Sequence, residues 1–157
     1  IIHRLLQIIP EVATEKRLLV AKRFMEKFSN YFNKDNCLEI IESTLSIVED
    51  PDHSILFGSL SYAEVPVVGY VEKLLVSGRI DRLVITDYEV LIVDYKTHCK
   101  SPLAIDDVPL KYLQQMAAYR SVIRDIYPDR SVVCALLWTD GPRWMDLDNA
   151  ALDYVSS

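Results

Sequence analysis

Val90-Leu91-Ile92-Val93 is an unbroken apolar run that stops abruptly at Asp94-Tyr95-Lys96-Thr97. A run of that kind reads as a strand buried on both faces. Its charged end needs an explanation, because a carboxylate carried out of water is costly unless it is paired or bound to a cation. Just upstream, Gly78-Arg79-Ile80-Asp81-Arg82-Leu83 leads into a second apolar stretch, Val84-Ile85. Asp87-Tyr88 lies between the two as the expected turn. A two-residue loop there pairs Thr86 with Glu89, Leu83 with Ile92 and Asp81 with Asp94. Lys96 falls on the same strand face as Asp94, two residues on. Opposed residues stand ~5 Å apart at Cβ, so two carboxylates would repel unless a cation sat between them. The spacing suits a divalent metal site. It also suits a solvated strand edge, since Asp is a common turn former. Asp87-Tyr88 lacks the Gly or Asn that such turns favour, and a one-residue slip would put the two Asp on opposite faces.

The rest of the chain frames this hairpin. Ile2, Leu5, Leu6 and Ile9 recur at helical spacing until Pro10. Further helices are expected over 14–32 and 35–48, followed by an acidic, Pro-containing loop over 49–52. Segments 56–57, 61–68, 73–76, 79–86 and 89–95 read as β-rich. A loop over 101–109 precedes a helix over 110–126, ended by Tyr127-Pro128. A buried strand over 131–139, a turn at Asp140-Gly141-Pro142, a return strand over 143–147 and a short last helix complete the pattern. Helices, then a meander, then helix and strand predict an α/β (α+β) chain, an α/β/α sandwich around a small mixed central sheet with N-terminal helices.

With half of its 157 residues hydrophobic, the chain can bury a core, and its length fits one domain over 1–157. Ile1-Ile2-His3-Arg4-Leu5-Leu6 reads as the interior of a helix, so a piece of a longer polypeptide is expected. Cys37, Cys99 and Cys134 are odd in number and far apart, which favours reduced thiols and a cytoplasmic location. No apolar stretch approaches ~18 residues, so no membrane partner is expected. The net charge of −6 weighs against strong autonomous binding to nucleic acid. It leaves open a local cleft rimmed by Lys96, Lys100 and Lys111. Trp138 and Trp144 flank the last turn, where core packing is expected over base stacking.

Taken in order, Gly78-Arg79-Ile80-Asp81-Arg82-Leu83, Val93-Asp94-Tyr95-Lys96-Thr97, then Tyr112-Leu113-Gln114-Gln115 and Tyr119 resemble the RecB-family nuclease domain of the PD-(D/E)xK superfamily. The closest likeness is to the C-terminal nuclease domain of AddA-type helicase–nucleases. Ile80 stands where the superfamily's name has Pro, as is usual in the RecB branch. The four-Cys iron–sulfur cluster of some relatives has no counterpart. The resemblance implies a restriction-endonuclease-like fold and a Mg²⁺-dependent deoxyribonuclease of exonuclease type, with Mn²⁺ as a substitute. The implied process is double-strand break repair and recombination.

The implied partners are DNA, the helicase domains of the same polypeptide and an AddB-like subunit. Asp81 and Asp94 resemble the family's metal carboxylates, and Lys96 its catalytic lysine. His3 matches a histidine in a His-x-Leu-Leu-like segment, although a lone helical His otherwise reads as a surface residue. The Tyr95 carbonyl is an implied metal ligand. Glu64 matches an acidic residue on the preceding strand, or else faces solvent. Gln115 and Tyr119 match the motif helix, where they share a face, and otherwise read as a polar helix edge. Arg79, expected on the Asp81 side, could meet a phosphate; Arg82 is expected to be structural or at the surface. The competing function is a non-catalytic, nuclease-like DNA-end or subunit-docking module.

Overall fold

The computed structural model describes residues 1–97 and 99–156. Its centre is a five-stranded sheet in the order β1-β2-β3-β4-β5. These are β1 (Ser61–Val71), β2 (Leu74–Ile85), β3 (Glu89–Lys96), β4 (Ser131–Trp138) and β5 (Arg143–Leu147). All neighbours are antiparallel except β3 and β4, which run parallel. That parallel step needs a crossover, and α4 (Leu110–Ile126) supplies it. Before the sheet come α1 (Ile2–Ile8), α2 (Arg17–Glu26) and α3 (Lys34–Glu49); after it comes α5 (Asn149–Ser156).

The sheet separates two apolar clusters. On one face, α4 and α5 cover Val67, Ile80, Leu83, Val90, Ile92, Cys134 and Leu136. On the other, α1 to α3 cover Val84, Val93, Tyr95, Ala135 and Leu137 with the buried Leu5, Leu6 and Ile9. β3 is therefore buried on both sides, as its continuous apolar run predicts. Each fully buried Leu or Ile contributes roughly 1.5–3 kcal/mol relative to exposure, so α1 is held by its apolar stripe. The Cys134 thiol, pushed up to about 12 by burial, is inert core filler. Among the described residues, no helix is long and apolar enough to cross a membrane.

Three elements differ from the sequence expectation. The helix expected over 14–32 is a 3₁₀ turn at Thr14–Lys16 followed by α2, which stops at Glu26. Ser29 and Asn30 favour turns over helix interiors, and Asn33 instead caps α3 by accepting from the Asn36 N–H at 2.8 Å. Leu56-Phe57 is the end of a 3₁₀ helix, Pro51–Phe57, whose first turn is capped by Asp50. Finally, β2 is one strand and not two segments, because Gly78 is not a breaker here. A Cβ on Gly78 would lie 2.3 Å from the Tyr119 hydroxyl, so the glycine makes room for α4 on the sheet.

Candidate active site

The hairpin register is the one expected from a two-residue loop as far as Arg82 and Val93, and the ladder stops short of the expected Asp81–Asp94 pair. Arg82 pairs with Val93 and Leu83 with Ile92, and the Thr86 N–H donates to the Glu89 carbonyl at 2.9 Å. This places Asp81, Asp94 and Lys96 at the end of the sheet away from the turn.

The local geometry at Asp81 departs from simple alternation. Ile80 packs under α4, yet Arg82 sends its guanidinium to the other side, donating to the Leu6 carbonyl at 2.8 Å and lying 5.0 Å from the Phe57 ring. Residues two apart in a regular strand share a face, so β2 turns over at Asp81. Across from it the β1–β2 pairing runs Ala63 with Arg82 and Val65 with Ile80, skipping Glu64. Glu64 has φ 54°, a left-handed conformation that costs on the order of 1–3 kcal/mol outside glycine. The twist puts the Asp81 carboxylate between the two faces. It accepts the Tyr95 backbone N–H at 2.7 Å and lies 3.2 Å from His3 Nε2. The hydrogen bond to Asp81 raises the His3 pKa above its ordinary value, against the opposing effect of burial.

Asp94 and Lys96 share one strand face, as expected, and are both buried. Lys96 Nζ lies 2.6 Å from Asp94 Oδ2 and donates to Gln115 Oε1 at 3.2 Å. Burial raises the Asp94 pKa first and the Asp81 charge raises it further, while Lys96 pulls it down. Gln115 in turn donates from Nε2 to the Tyr119 hydroxyl at 3.3 Å. That hydroxyl donates to the Arg79 carbonyl and accepts the Arg79 N–H, both at 3.3 Å. α4 is thus tied to β2 at the residue next to Gly78, and the Gln115 carbonyl oxygen is turned toward Lys96. Tyr95 buries its ring against the N-terminal helices, with its centroid 5.6 Å from that of His3. Burial drives its phenol far above the ordinary tyrosine range.

Arg79 reaches the Glu64 carboxylate. Its guanidinium lies 3.8 Å from Glu64 Oε2 and is largely exposed. Arg82, expected to be structural or at the surface, is buried beneath α1. Trp138 is buried in the core as expected. Tyr112, which opens the family-like segment 112–115 but was given no role of its own by sequence, has its ring centroid 3.9 Å from Lys96 Nζ. Its spacing three residues before Gln115 is a signal that could have found it.

Among the described residues no three His, Cys, Asp or Glu side chains form a ready metal cage. The donors are instead the His3–Asp81 pair and Asp94, whose pKa is raised by burial first and by the Asp81 charge second. Mg²⁺ is commonly held by one or two carboxylates, with water and substrate phosphate completing the shell. The donor set fits such an ion and does not fit a closed structural zinc site.

A model of the PD-(D/E)XK nuclease superfamily matches residues 1–142. The chain belongs to that superfamily. The mixed five-stranded sheet with helices on both faces agrees with its restriction-endonuclease-like fold. Members of the PD-(D/E)XK superfamily are mostly nucleases and generally work with divalent metal ions. Among solved structures, one titled "Crystal structure of SSO0001" is 15% identical, with a TM-score of 0.36, covering 87% of this chain and 67% of the other. No curated protein matches the chain.

Proposed function

We propose that this chain hydrolyses DNA phosphodiester bonds as the nuclease domain of an AddA/RecB-type helicase–nuclease, in double-strand break repair and recombination. The observation that carries the reading is the buried Asp94–Lys96 pair, 2.6 Å apart, set beside Asp81 and fastened by Gln115. A buried lysine held by a carboxylate and an amide, with a second carboxylate, Asp81, close by, is hard to explain as packing alone.

In this reading His3, Asp81, Asp94 and the Tyr95 carbonyl hold Mg²⁺, or Mn²⁺ in its place. The ion would supply an activated water and neutralise charge on the phosphoryl oxygens. Lys96 orients that water and stabilises the charge that develops in the transition state. Gln115 and Tyr119 fix the ammonium's distance from β2. Glu64 adds negative charge at the rim, and Arg79, exposed beside it, is available to a backbone phosphate. The net charge of −6 is in keeping with a domain whose DNA is gripped mainly by other parts of the polypeptide. In this account helicase domains feed the strand and an AddB-like subunit carries the second nuclease.

End-labelled single-stranded DNA, incubated with the chain and Mg²⁺, Mn²⁺ or EDTA, tests this directly. Metal-dependent cleavage that disappears in Lys96→Ala is expected. Cleavage unchanged by both Lys96→Ala and Asp94→Ala would sink the reading. So would an inert chain that binds no metal in calorimetry, and that outcome would favour a docking module with a nuclease-like fold.

A further inference from the structure

The Lys96 ammonium has three protons and meets three electron-rich groups. Asp94 Oδ2 lies at 2.6 Å, Gln115 Oε1 at 3.2 Å, and the centroid of the Tyr112 ring at 3.9 Å. A cation over an aromatic face is attracted by the ring quadrupole, and more strongly where water is excluded. Lys96 is only 8% exposed. Tyr112 and Gln115 sit three residues apart on α4, so a single helical turn presents both to the amine. The ring has its own support, for it packs against Trp138 with centroids 6.2 Å apart and planes tilted by 60°. Trp138 is among the most buried side chains of the molecule. Tyr112 is therefore backed by the core and not free to swing away.

We infer that Tyr112 is a positioning residue for Lys96: the ring face and the Gln115 carbonyl together set where the ammonium points. The catalytic consequence rests on the nuclease reading above. Of the three partners, Asp94 is the one also placed in the metal-holding set, so a cation competes with Lys96 for its carboxylate. Tyr112 and Gln115 are neutral and make no such double commitment. They hold the amine in place when Asp94 turns to the metal, which frees one N–H for water or phosphate. The contact uses the face of the ring and not its hydroxyl. Phenylalanine should therefore replace Tyr112, while leucine, of similar reach but without a π-system, should not.

The test compares the 157-residue chain with Tyr112→Phe, Tyr112→Leu and, as a dead control, Lys96→Ala. Proton NMR gives a readout independent of turnover. A ring above the amine shifts the Lys96 ε-methylene protons upfield, and because Lys111 Nζ lies 5.1 Å from the same ring the reference is the remaining lysines. The shift is expected in the wild type and in Tyr112→Phe and should vanish in Tyr112→Leu. In DNA cleavage, Tyr112→Leu should lower kcat by about tenfold with KM nearly unchanged, and Tyr112→Phe should restore it. Wild-type ε-methylene protons at unshifted positions would overturn the inference, as would full kcat in a folded Tyr112→Leu. A wild type that cleaves nothing would count against the nuclease reading instead, and the ring-current shift would still decide whether Tyr112 holds the amine.

Discussion

Two buried cations, Lys96 facing α4 and Arg120 on it, are buried differently. Lys96 and Asp94 lie 2.6 Å apart with side chains 10% and 9% exposed. Arg120 and Asp153 lie 2.5 Å apart with side chains 4% and 65% exposed. In the second pair only the cation has left water. Arg120 also donates to Asn149 Oδ1 at 2.8 Å, and together these bonds strap α5 onto α4. In the first pair both charges are buried, and a second carboxylate, Asp81, adds negative charge that raises the Asp94 pKa. Burial of a charge therefore marks two different things. Where the pair is balanced and one partner is wet, the charge is a clamp. Where like charges are buried together, the excess is what a divalent cation would neutralise.

The largest expected effects separate these regions. Asp94→Asn and Lys96→Ala should each lower metal-dependent cleavage by roughly 10²–10³-fold or more. Asp94→Asn should change the melting temperature far less than it changes cleavage, because relief of the repulsion from Asp81 offsets part of the loss of the Lys96 counter-ion. Arg120→Ala should do the opposite. It loses charged hydrogen bonds worth about 2–3 kcal/mol, read as a lower denaturation midpoint, with cleavage per folded molecule retained. An Arg120→Ala protein that is folded yet inactive would break the distinction between clamp and site.

Gly78→Ala comes next, because it acts on the site through packing. The new Cβ would meet Tyr119 at 2.3 Å from the hydroxyl and 2.9 Å from Cε1. α4 must then move off β2, and the Tyr119–Gln115–Lys96 chain moves with it. A loss of ~1–3 kcal/mol is expected from overpacking, together with a drop in cleavage at temperatures where the variant is still folded. The double change Gly78→Ala with Tyr119→Phe removes the 2.3 Å contact and leaves ring carbons at 2.9 and 3.0 Å, so it should rescue in part; Tyr119→Ala should relieve the clash fully. Equal stability of Gly78→Ala and wild type in a denaturant titration would contradict the close approach.

The pH dependence of metal binding sharpens the comparison from the ligand side. The His3 pKa is raised above 6.5, chiefly by its hydrogen bond to Asp81. Without metal, that shift contributes stability that is fully present below 6.5 and is lost as pH rises through the folded-state value. Metal binding requires the deprotonated imidazole, so the slopes are opposite. Affinity should weaken by up to about tenfold per pH unit as pH falls below the folded-state pKa. Asp94, raised by burial and by Asp81, acts in the same direction. Calorimetry in buffers of different ionisation heat would count the protons released. A His3→Gln variant with the same pH profile would remove His3 from the ligand set.

Much of this arrangement was legible in the sequence, and the illegible part has a physical cause. The β2–β3 register followed from the length of the turn, and α4 runs over Leu110–Ile126 because Pro109 and Pro128 bracket it. The apolar run 90–93 announced a strand buried on both faces. What could not be read were features decided by a distant neighbour. Gly78 looks like a strand end until Tyr119 is seen against it. Leu56-Phe57 carries strand-forming residues, but local capping by Asp50 and Pro51 prevails. Tyr112 stands in a family-like segment, but its contact with Lys96 shows only once the fold brings the amine beneath its ring. The reversal of β2 at Asp81 leaves the least trace, since nothing in Ala63-Glu64-Val65 signals a positive φ.

That reversal yields the smallest and most discriminating prediction. Glu64 adopts φ 54° opposite Asp81, a conformation glycine takes without penalty. Glu64→Gly should therefore stabilise the chain, or leave it level, by up to ~1 kcal/mol, with relief of strain set against the added entropy of the unfolded glycine. Glu64→Gln keeps the strain and removes the charge. If Glu64 serves only to turn the strand, both variants should cleave DNA as the wild type does. If its carboxylate belongs to the site, both should lose activity, and Glu64→Gly should be at once more stable and less active. Such a residue would hold a strained backbone for its charge, whereas Arg120 holds a relaxed one for its bonds. A Glu64→Gly variant that is clearly destabilised would mean that its 3.8 Å pairing with Arg79 outweighs the backbone strain, and the strained element would then have to be sought elsewhere in the site.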